Sequence, residues 1–165
     1  MTALANPSPV VHEEIEGGGR TCQDKAAEHN EAVEDPIDAW EIFEIIRRIR
    51  DPEHPNTLEQ LKVVEPSLIT VDFSNGRKYV KVMFTPTVPL HCSLTALIGL
   101  SISLKLQRSL PQYTKIDVYV TPGTHDQEEQ VNKQLNDKER VAAALENKNL
   151  LSVVESCMYD YEENC

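Results

Sequence analysis

Two short apolar runs on either side of Asn75-Gly76 constrain the fold more than any other feature of the sequence. Asn-Gly is the dipeptide preferred in two-residue type I′ turns, which join antiparallel strands. The runs 68–73 and 79–84 alternate apolar and polar residues, as half-buried strands do. With the dipeptide at the tip, two apolar pairs fall on the same face: Val71 with Val80, and Ile69 with Val82. The sequence therefore predicts a hairpin with a fixed register.

The residues that follow the hairpin predict a parallel crossover. Segment 93–106 is apolar on most faces and too long for a strand, which indicates a buried helix. Alternation over 116–121 then predicts another strand. Because a strand, a helix and a strand form a crossover, strands 79–84 and 116–121 are expected to be parallel and connected in the right-handed sense. The prediction is a single α/β domain with a small mixed sheet, an antiparallel hairpin plus a parallel crossover strand, packed by helices.

Further helices are predicted on both sides of this unit. Asp35-Pro36 has the form of an N-cap followed by a first-turn proline, and isoleucines then recur at helical spacing, so a helix is expected over about 36–50. After Thr124 the apolar pattern is helical and is interrupted at Asn136-Asp137, which has the form of a new cap. Segment 150–158 is predicted to be a last short helix, with a strand as the alternative.

Negative charge is concentrated at the two ends of the chain. The chain has 27 acidic and 16 basic residues, a net charge of −11. Eight of the acidic residues and only two of the basic ones lie in the first 35 residues, which also contain few large apolar side chains. Such a composition cannot bury enough surface to offset the loss of chain entropy on folding. The sequence predicts a disordered acidic tail over 1–35, a folded domain over 36–158 and an acidic C-terminal tail over 159–165.

Composition and motifs also exclude several classes of function. The net negative charge disfavours direct binding to nucleic-acid phosphates. No apolar run reaches the roughly 20 residues of a membrane helix, and the first residues lack the layout of a signal peptide, so a cytosolic or nuclear protein is expected. The four cysteines form no CxxC pair, which disfavours a disulfide framework or a preformed four-cysteine metal site. The familiar nucleotide-binding, zinc-protease and serine-hydrolase motifs are absent from the sequence.

The predicted topology places two chemically active side chains at one edge of the sheet. Cys92 follows strand 79–84 and His125 follows strand 116–121, and ligands of open α/β sheets bind outside the carboxyl ends of such strands. Cys92 would also lie at a helix N-terminus, which stabilises a thiolate, and the adjacent His91 could add to this effect. The alternatives are that Cys92 is a small buried hydrophobe and that His125 is a solvated first-turn residue.

Two further segments are candidates either for partner contact or for ordinary solvated surface. His54 lies between two prolines in a loop that begins at Asp51. The polar run 132–140 fits a solvated helix face or a docking surface, and its candidate partner-binding residues are Asn132, Lys133, Asp137, Lys138 and Arg140. Cys157 belongs to an apolar stripe and is predicted to pack in the core, whereas Cys165 is predicted to be an exposed thiol.

These residues alone favour a binding module. The alternative is a cysteine-dependent acyl- or thiol-transfer enzyme, in which Cys92 would be the nucleophile and His125 the base, because such groups need only meet in space. No motif identifies a substrate for such an enzyme.

Seven stretches of the sequence resemble one known family. They are Asp51-Pro52-Glu53-His54-Pro55, Thr57-Leu58-Glu59, Phe84-Thr85-Pro86-Thr87, His91-Cys92-Ser93, Leu97-Ile98-Gly99-Leu100, Thr121-Pro122-Gly123-Thr124-His125 and the run 132–144. Over about residues 36–158 the chain resembles the cytosolic iron-sulfur assembly component 2 family, and its B-type members most closely. Cys92 matches the reactive cysteine of that family, and His125 matches the histidine of its Pro-Gly-Thr-His motif.

The resemblance implies a non-enzymatic adapter subunit of the cytosolic iron-sulfur targeting complex. Such a subunit works with a WD-repeat propeller protein and a HEAT-repeat protein to deliver [4Fe-4S] clusters to cytosolic and nuclear apoproteins, a role linked to chromosome segregation. No stably bound cofactor is implied, and Cys92 would be a transient ligand of a [4Fe-4S] cluster. The resemblance leaves a homodimer open, and neither nucleic acid nor a membrane is expected as a direct partner.

Overall fold

The computed structural model describes residues 9–15, 37–87 and 92–158. In this part of the chain there are three β-strands and five α-helices. The strands are β1 (Ile69–Asp72), β2 (Tyr79–Phe84) and β3 (Lys115–Val120). The helices are α1 (Ala39–Ile46), α2 (Cys92–Ser109), α3 (Glu128–Asn136), α4 (Lys138–Glu146) and α5 (Lys148–Met158). A short 3-10 helix, Pro66–Leu68, precedes β1.

The sheet has the predicted topology and register. Its strand order is β1-β2-β3, with β1 antiparallel and β3 parallel to β2. The predicted apolar pairs are confirmed: Ile69 lies opposite Val82, and Val71 opposite Val80. Asn75 and Gly76 have φ angles of 52° and 75°, both positive as a type I′ turn requires. The predicted α/β fold, a hairpin with a parallel crossover strand, is therefore confirmed.

The core lies between one face of the sheet and the helices. The buried residues of β2 and β3 alternate along each strand and are Val80, Val82, Phe84, Val118 and Val120. Helix α2 buries Ile98, Ile102 and Leu106 at helical spacing. Gly99 lies so close to α3 that a Cβ atom on it would be 2.5 Å from Leu135 Cδ1. This packing fixes α2 beside the sheet and so sets the place where the helix begins.

Helix α1 is shorter than the predicted 36–50 because neighbouring contacts override the helical spacing. Its N-cap is Asp38, whose carboxylate accepts a hydrogen bond of 2.9 Å from a backbone N–H of the first turn. After Ile46 the chain leaves the helix, and Arg50 forms an isolated antiparallel bridge with Thr57. The predicted break at Asn136-Asp137 is confirmed, and 150–158 is helical in α5.

Residues 9–15, although part of the predicted disordered tail, lie against the domain. The N–H of His12 donates to the carbonyl of Gln60 at 2.7 Å. The backbone N–H and carbonyl of Ile15 are hydrogen-bonded to the two side chains of a buried ion pair. These contacts attach a segment that composition alone assigns to a tail. The remaining residues of both predicted tails lie outside the described ranges.

The ion pair that holds Ile15 consists of Arg47 and Glu59. Arg47 Nε donates to Glu59 Oε2 at 2.7 Å, and the two side chains are only 9% and 5% exposed. Glu59 Oε1 accepts the N–H of Ile15 at 2.7 Å, and Arg47 Nη2 donates to the Ile15 carbonyl at 2.8 Å. We call Arg47 and Glu59 the backbone clamp, because each of them contacts a main-chain group of Ile15.

The outer edge of β3 is covered by two asparagines of α3. Asn136 Oδ1 accepts the N–H of Val118 at 3.2 Å, and Asn136 Nδ2 donates to the Val118 carbonyl at 3.0 Å. One turn earlier, Asn132 Oδ1 accepts the N–H of Val120 at 2.8 Å. The two amides therefore satisfy backbone groups that another strand would otherwise pair.

Replacing Asn136 with alanine should lower the free energy of unfolding by about 1–3 kcal/mol, because both polar groups of the Val118 residue lose their partner. Urea denaturation measures the change. The matched control is Asn149→Ala on the exposed side of α5, which should change stability by less than about 0.5 kcal/mol. Equal effects of the two substitutions would contradict the role of Asn136.

Candidate functional site

The carboxyl ends of the two parallel strands are joined by threonines. The N–H of Thr121 donates to the carbonyl of Phe84 at 2.8 Å, which extends the parallel ladder past the end of both strands. The hydroxyl of Thr85 donates to that of Thr121 at 3.1 Å. Thr121 in turn accepts, at its carbonyl, the hydroxyl of Thr124. This hydroxyl-lined edge is the place where open α/β sheets bind ligands.

Asp51 brings the loop after α1 to the same edge. Its carboxylate is buried, with the residue 6% exposed, and Oδ1 accepts the N–H groups of Glu53 and His54 at 2.8 and 3.1 Å. Its Oδ2 accepts the hydroxyl of Thr87 at 3.3 Å. Asp51 thus fixes the turn that carries His54 and ties it to the segment leading from β2 toward Cys92.

Cys157 packs beneath this loop, and its predicted place in the core is confirmed. It is 5% exposed, and its carbonyl accepts the N–H of Arg50 at 2.8 Å. Burial raises the pKa of the Cys157 thiol, and the negative charge of Asp51 raises it further. This thiol is therefore neutral and shielded at physiological pH.

Cys92 is the first residue of α2, the position predicted for it. Its backbone therefore lies where the first N–H groups of an 18-residue helix have no partner within the helix. His91 lies outside the described residues. Along the chain, Cys92 follows β2 and His125 follows β3, and these two strands are parallel. Their juxtaposition at one sheet edge stays a prediction.

His125 has one ring nitrogen bonded and the other unpaired. The residue is only 6% exposed, so the alternative interpretation of His125 as a solvated first-turn residue is wrong. Its Nδ1 accepts the N–H of Gln127 at 2.9 Å, so the neutral ring carries its proton on Nε2. That Nε2 is buried and has no hydrogen-bond partner among the described residues. A buried donor without an acceptor is uncommon, and this nitrogen is available to bond a water, an ion or a ligand.

A cleft of about 1000 Å³ opens beside His125, between the end of β3 and α3. His125, Lys133 and Arg140 all line it, and Arg140 Nε lies 3.5 Å from a carboxylate oxygen of Asp137. Of the other candidates in the polar run, Lys138 is exposed, and the side-chain oxygen of Asn132 is bonded to β3. Two of the five candidate residues of the polar run, Lys133 and Arg140, therefore line the cleft.

The described ranges hold no preassembled metal centre and no membrane span. In residues 9–15, 37–87 and 92–158, no group of three or more histidine, cysteine, aspartate or glutamate residues is placed to hold a metal ion. No helix within those ranges has the length and apolar character needed to cross a membrane.

Comparison with known proteins identifies the family. Mouse cytosolic iron-sulfur assembly component 2B is 56% identical over 155 residues, which cover 94% of this chain and 91% of the mouse protein. The chain belongs to the cytosolic iron-sulfur assembly component 2 family. The Drosophila melanogaster MIP18 family protein galla-2 is 52% identical over 157 residues, covering 95% of this chain and 96% of that protein. A Dictyostelium discoideum protein named cytosolic iron-sulfur assembly component 2B is 48% identical over 161 residues, covering 93% and 96%.

Comparison with protein-family models gives no match. The similarity to the component 2 proteins spans nearly their whole length, so the family assignment applies to the whole domain and not to one motif. The resemblance found from the motifs of the sequence is thereby confirmed.

Sequence reasoning missed the three threonines at this edge of the family's fold. Thr85, Thr87 and Thr121 bond to each other or to Asp51, but the sequence analysis assigned them no role. Their signal was available, because all three lie at or within three residues of the carboxyl end of a predicted parallel strand.

Proposed function

We propose that this chain is a non-enzymatic adapter subunit of the machinery that inserts [4Fe-4S] clusters into cytosolic and nuclear apoproteins. The role in cytosolic iron-sulfur protein assembly follows from membership of the component 2 family. To that role the proposal adds an adapter function, nuclear clients and a link to chromosome segregation. The single observation that supports a site for it is the unpaired, buried Nε2 of His125 at the sheet edge where α2 begins with Cys92.

In this proposal the thiolate of Cys92 binds an iron of the cluster, which is cargo and not a resident cofactor. The free N–H groups at the start of α2 stabilise the thiolate, because the helix dipole is positive there. The Nε2–H of His125 donates to the thiolate sulfur or to a cluster sulfide and so stabilises the negative charge. A site with so few ligands shares the cargo with a donor or client and releases it readily, which suits transfer.

The partners in this proposal are a WD-repeat propeller protein, a HEAT-repeat protein and the client apoproteins. The cleft beside His125 supplies a contact surface for them, lined by Lys133 and by Arg140, which pairs with Asp137. His54, whose N–H is held by Asp51, supplies a second contact.

The ring orientation of His125 disfavours the enzyme alternative. A general base for Cys92 needs a lone pair on the nitrogen that faces the thiol. Here Nδ1 accepts the N–H of Gln127, so Nε2 carries the proton and acts as a donor. An acyl- or thiol-transfer mechanism would require this backbone hydrogen bond to break in every cycle.

The test is anaerobic reconstitution of the full chain with ferrous iron and sulfide, with and without the propeller partner, followed by Mössbauer spectroscopy. We expect a [4Fe-4S] signal that needs the partner, and we expect Cys92→Ala to lose it and His125→Gln to weaken it. Cys165→Ala and His29→Gln serve as matched controls and should retain it. Steady thioester turnover that depends on Cys92 and His125 would instead establish the enzyme, and a wild-type signal from Cys92→Ala would remove the thiol from the site.

A further inference from the structure

The sheet face opposite the core carries an ordered array of lysine and tyrosine side chains. Lys81 Nζ lies 5.3 Å from the ring centroid of Tyr119, and Lys115 Nζ lies 5.5 Å from that of Tyr79. The hydroxyl of Tyr79 donates to Asp117 Oδ2 at 3.1 Å, and Lys115 Nζ is 3.5 Å from the same oxygen. These five residues, which we call the basic sheet face, are therefore held in fixed positions on the surface of the domain.

Positive charge accumulates around this face although the chain as a whole is acidic. The N–H of Lys115 donates to the carbonyl of Lys78 at 2.7 Å, which brings Arg77 and Lys78 of the hairpin next to the start of β3. The cations around this face number five and are Arg77, Lys78, Lys81, Lys115 and Lys138, the last of which lines the adjoining groove. The anions among them are Asp72 and Asp117. The local excess is three positive charges in a chain of net charge −11.

A groove of about 950 Å³ runs along the outer edge of β3 beside this face. Its floor is apolar and consists of Ile116, Leu135, Val141 and Leu145. The backbone groups of Ile116 face the same outer edge of β3 as those of Val118 and Val120, but the hydrogen bonds that Asn132 and Asn136 make to this strand go to Val118 and Val120. At the end of the groove the side chain of Tyr113 is 95% exposed.

We propose that the basic sheet face and this groove form a docking surface for an acidic, extended segment of a partner protein. The segment's carboxylates meet Lys115, Lys81 and Lys138, and its apolar side chains enter the groove over Ile116. A short acidic peptide fits the local positive charge, whereas a nucleic acid would extend beyond it into the negative field of the remaining surface. The proposal does not depend on the roles of Cys92 and His125.

Fluorescence anisotropy with the full chain tests the surface. The probe is a fluorescein-labelled synthetic heptapeptide that alternates glutamate with leucine, and saturable binding that weakens with salt is expected. Lys115→Glu should weaken binding roughly tenfold and Lys81→Gln should weaken it less, because the first reverses a charge and the second removes one. The matched control, Lys148→Glu, changes the net charge equally at an exposed position on α5 and should leave affinity unchanged.

Backbone amide shifts of β2 and β3 on adding the peptide provide a second measurement that does not rely on the variants. Absence of saturable binding, an equal loss in Lys148→Glu, or shifts confined to other elements would overturn the proposal. Tighter binding of a polyuridylate oligonucleotide at the same residues would assign the surface to nucleic acid instead.

Discussion

Replacement of Cys92 by alanine is expected to abolish the maturation of iron-sulfur clients while leaving the domain folded. The substitution removes one sulfur at the first residue of α2, so the loss of stability should be only on the order of 1 kcal/mol. The loss of function should be complete, because Cys92 is the proposed thiol ligand of the cargo and the other cysteine of the described residues, Cys157, is buried. The measurement is iron incorporation into client proteins in cells depleted of the native protein and supplied with the variant.

Cys165→Ala is the matched control and should restore client iron to the wild-type level. Pull-down of the propeller and HEAT-repeat partners by Cys92→Ala should be retained, which separates loss of the thiol from loss of the complex. Full rescue of client iron by Cys92→Ala would leave the chain as a scaffold only. Alkylation gives an independent check, since Cys92 should react before Cys157, whose pKa is raised by burial.

Replacement of Arg47 by alanine should lower the free energy of unfolding by about 3–5 kcal/mol. The substitution leaves the carboxylate of Glu59, 5% exposed, without its cationic partner in a buried site. It also removes the donor to the Ile15 carbonyl, so the N–H of Ile15 should exchange with solvent faster. Chemical denaturation measures the first effect and hydrogen exchange by NMR the second.

The exposed pair Arg108–Glu155 provides the matched control. Its N–O distance is 2.9 Å, similar to that of the clamp, but the side chains are 41% and 38% exposed. Arg108→Ala should therefore change the free energy of unfolding by only about 0–1 kcal/mol. A second variant, with Arg47→Met and Glu59→Leu together, should recover much of the stability lost in Arg47→Ala, because no buried charge is left unpaired. If Arg47→Ala and Arg108→Ala had equal effects, burial would not govern the strength of the clamp.

The hairpin and the helix break were predictable because each is encoded by residues close together in the chain, and the crossover was predictable from the order strand, helix, strand. Asn75-Gly76 sets the turn, and the alternation on either side of it admits one register with the apolar residues on the core face. Asp137 caps α4 through its own side chain, a signal contained within four residues.

Features that depend on residues far apart in the chain were not predictable. The roles of Asn132 and Asn136 require α3 to pack along the edge of β3, and nothing in the polar run distinguishes them from solvated residues. The end of α1 is set by the bridge between Arg50 and Thr57, which the isoleucine spacing does not reveal. At the candidate site, strand order predicts that Cys92 and His125 follow the same ends of two parallel strands, but the ring orientation of His125 depends on a turn known only from the structure.

The backbone clamp also has a consequence for evolution and engineering. It holds Ile15 through its N–H and carbonyl groups, while the side chain of that residue is 42% exposed. The attachment therefore depends on backbone groups and not on the identity of most side chains in residues 9–15. Proline at position 12 or 15 should break it, because proline lacks the N–H that is hydrogen-bonded there. Substitutions in this segment that keep both N–H groups are therefore expected to leave it attached to the domain.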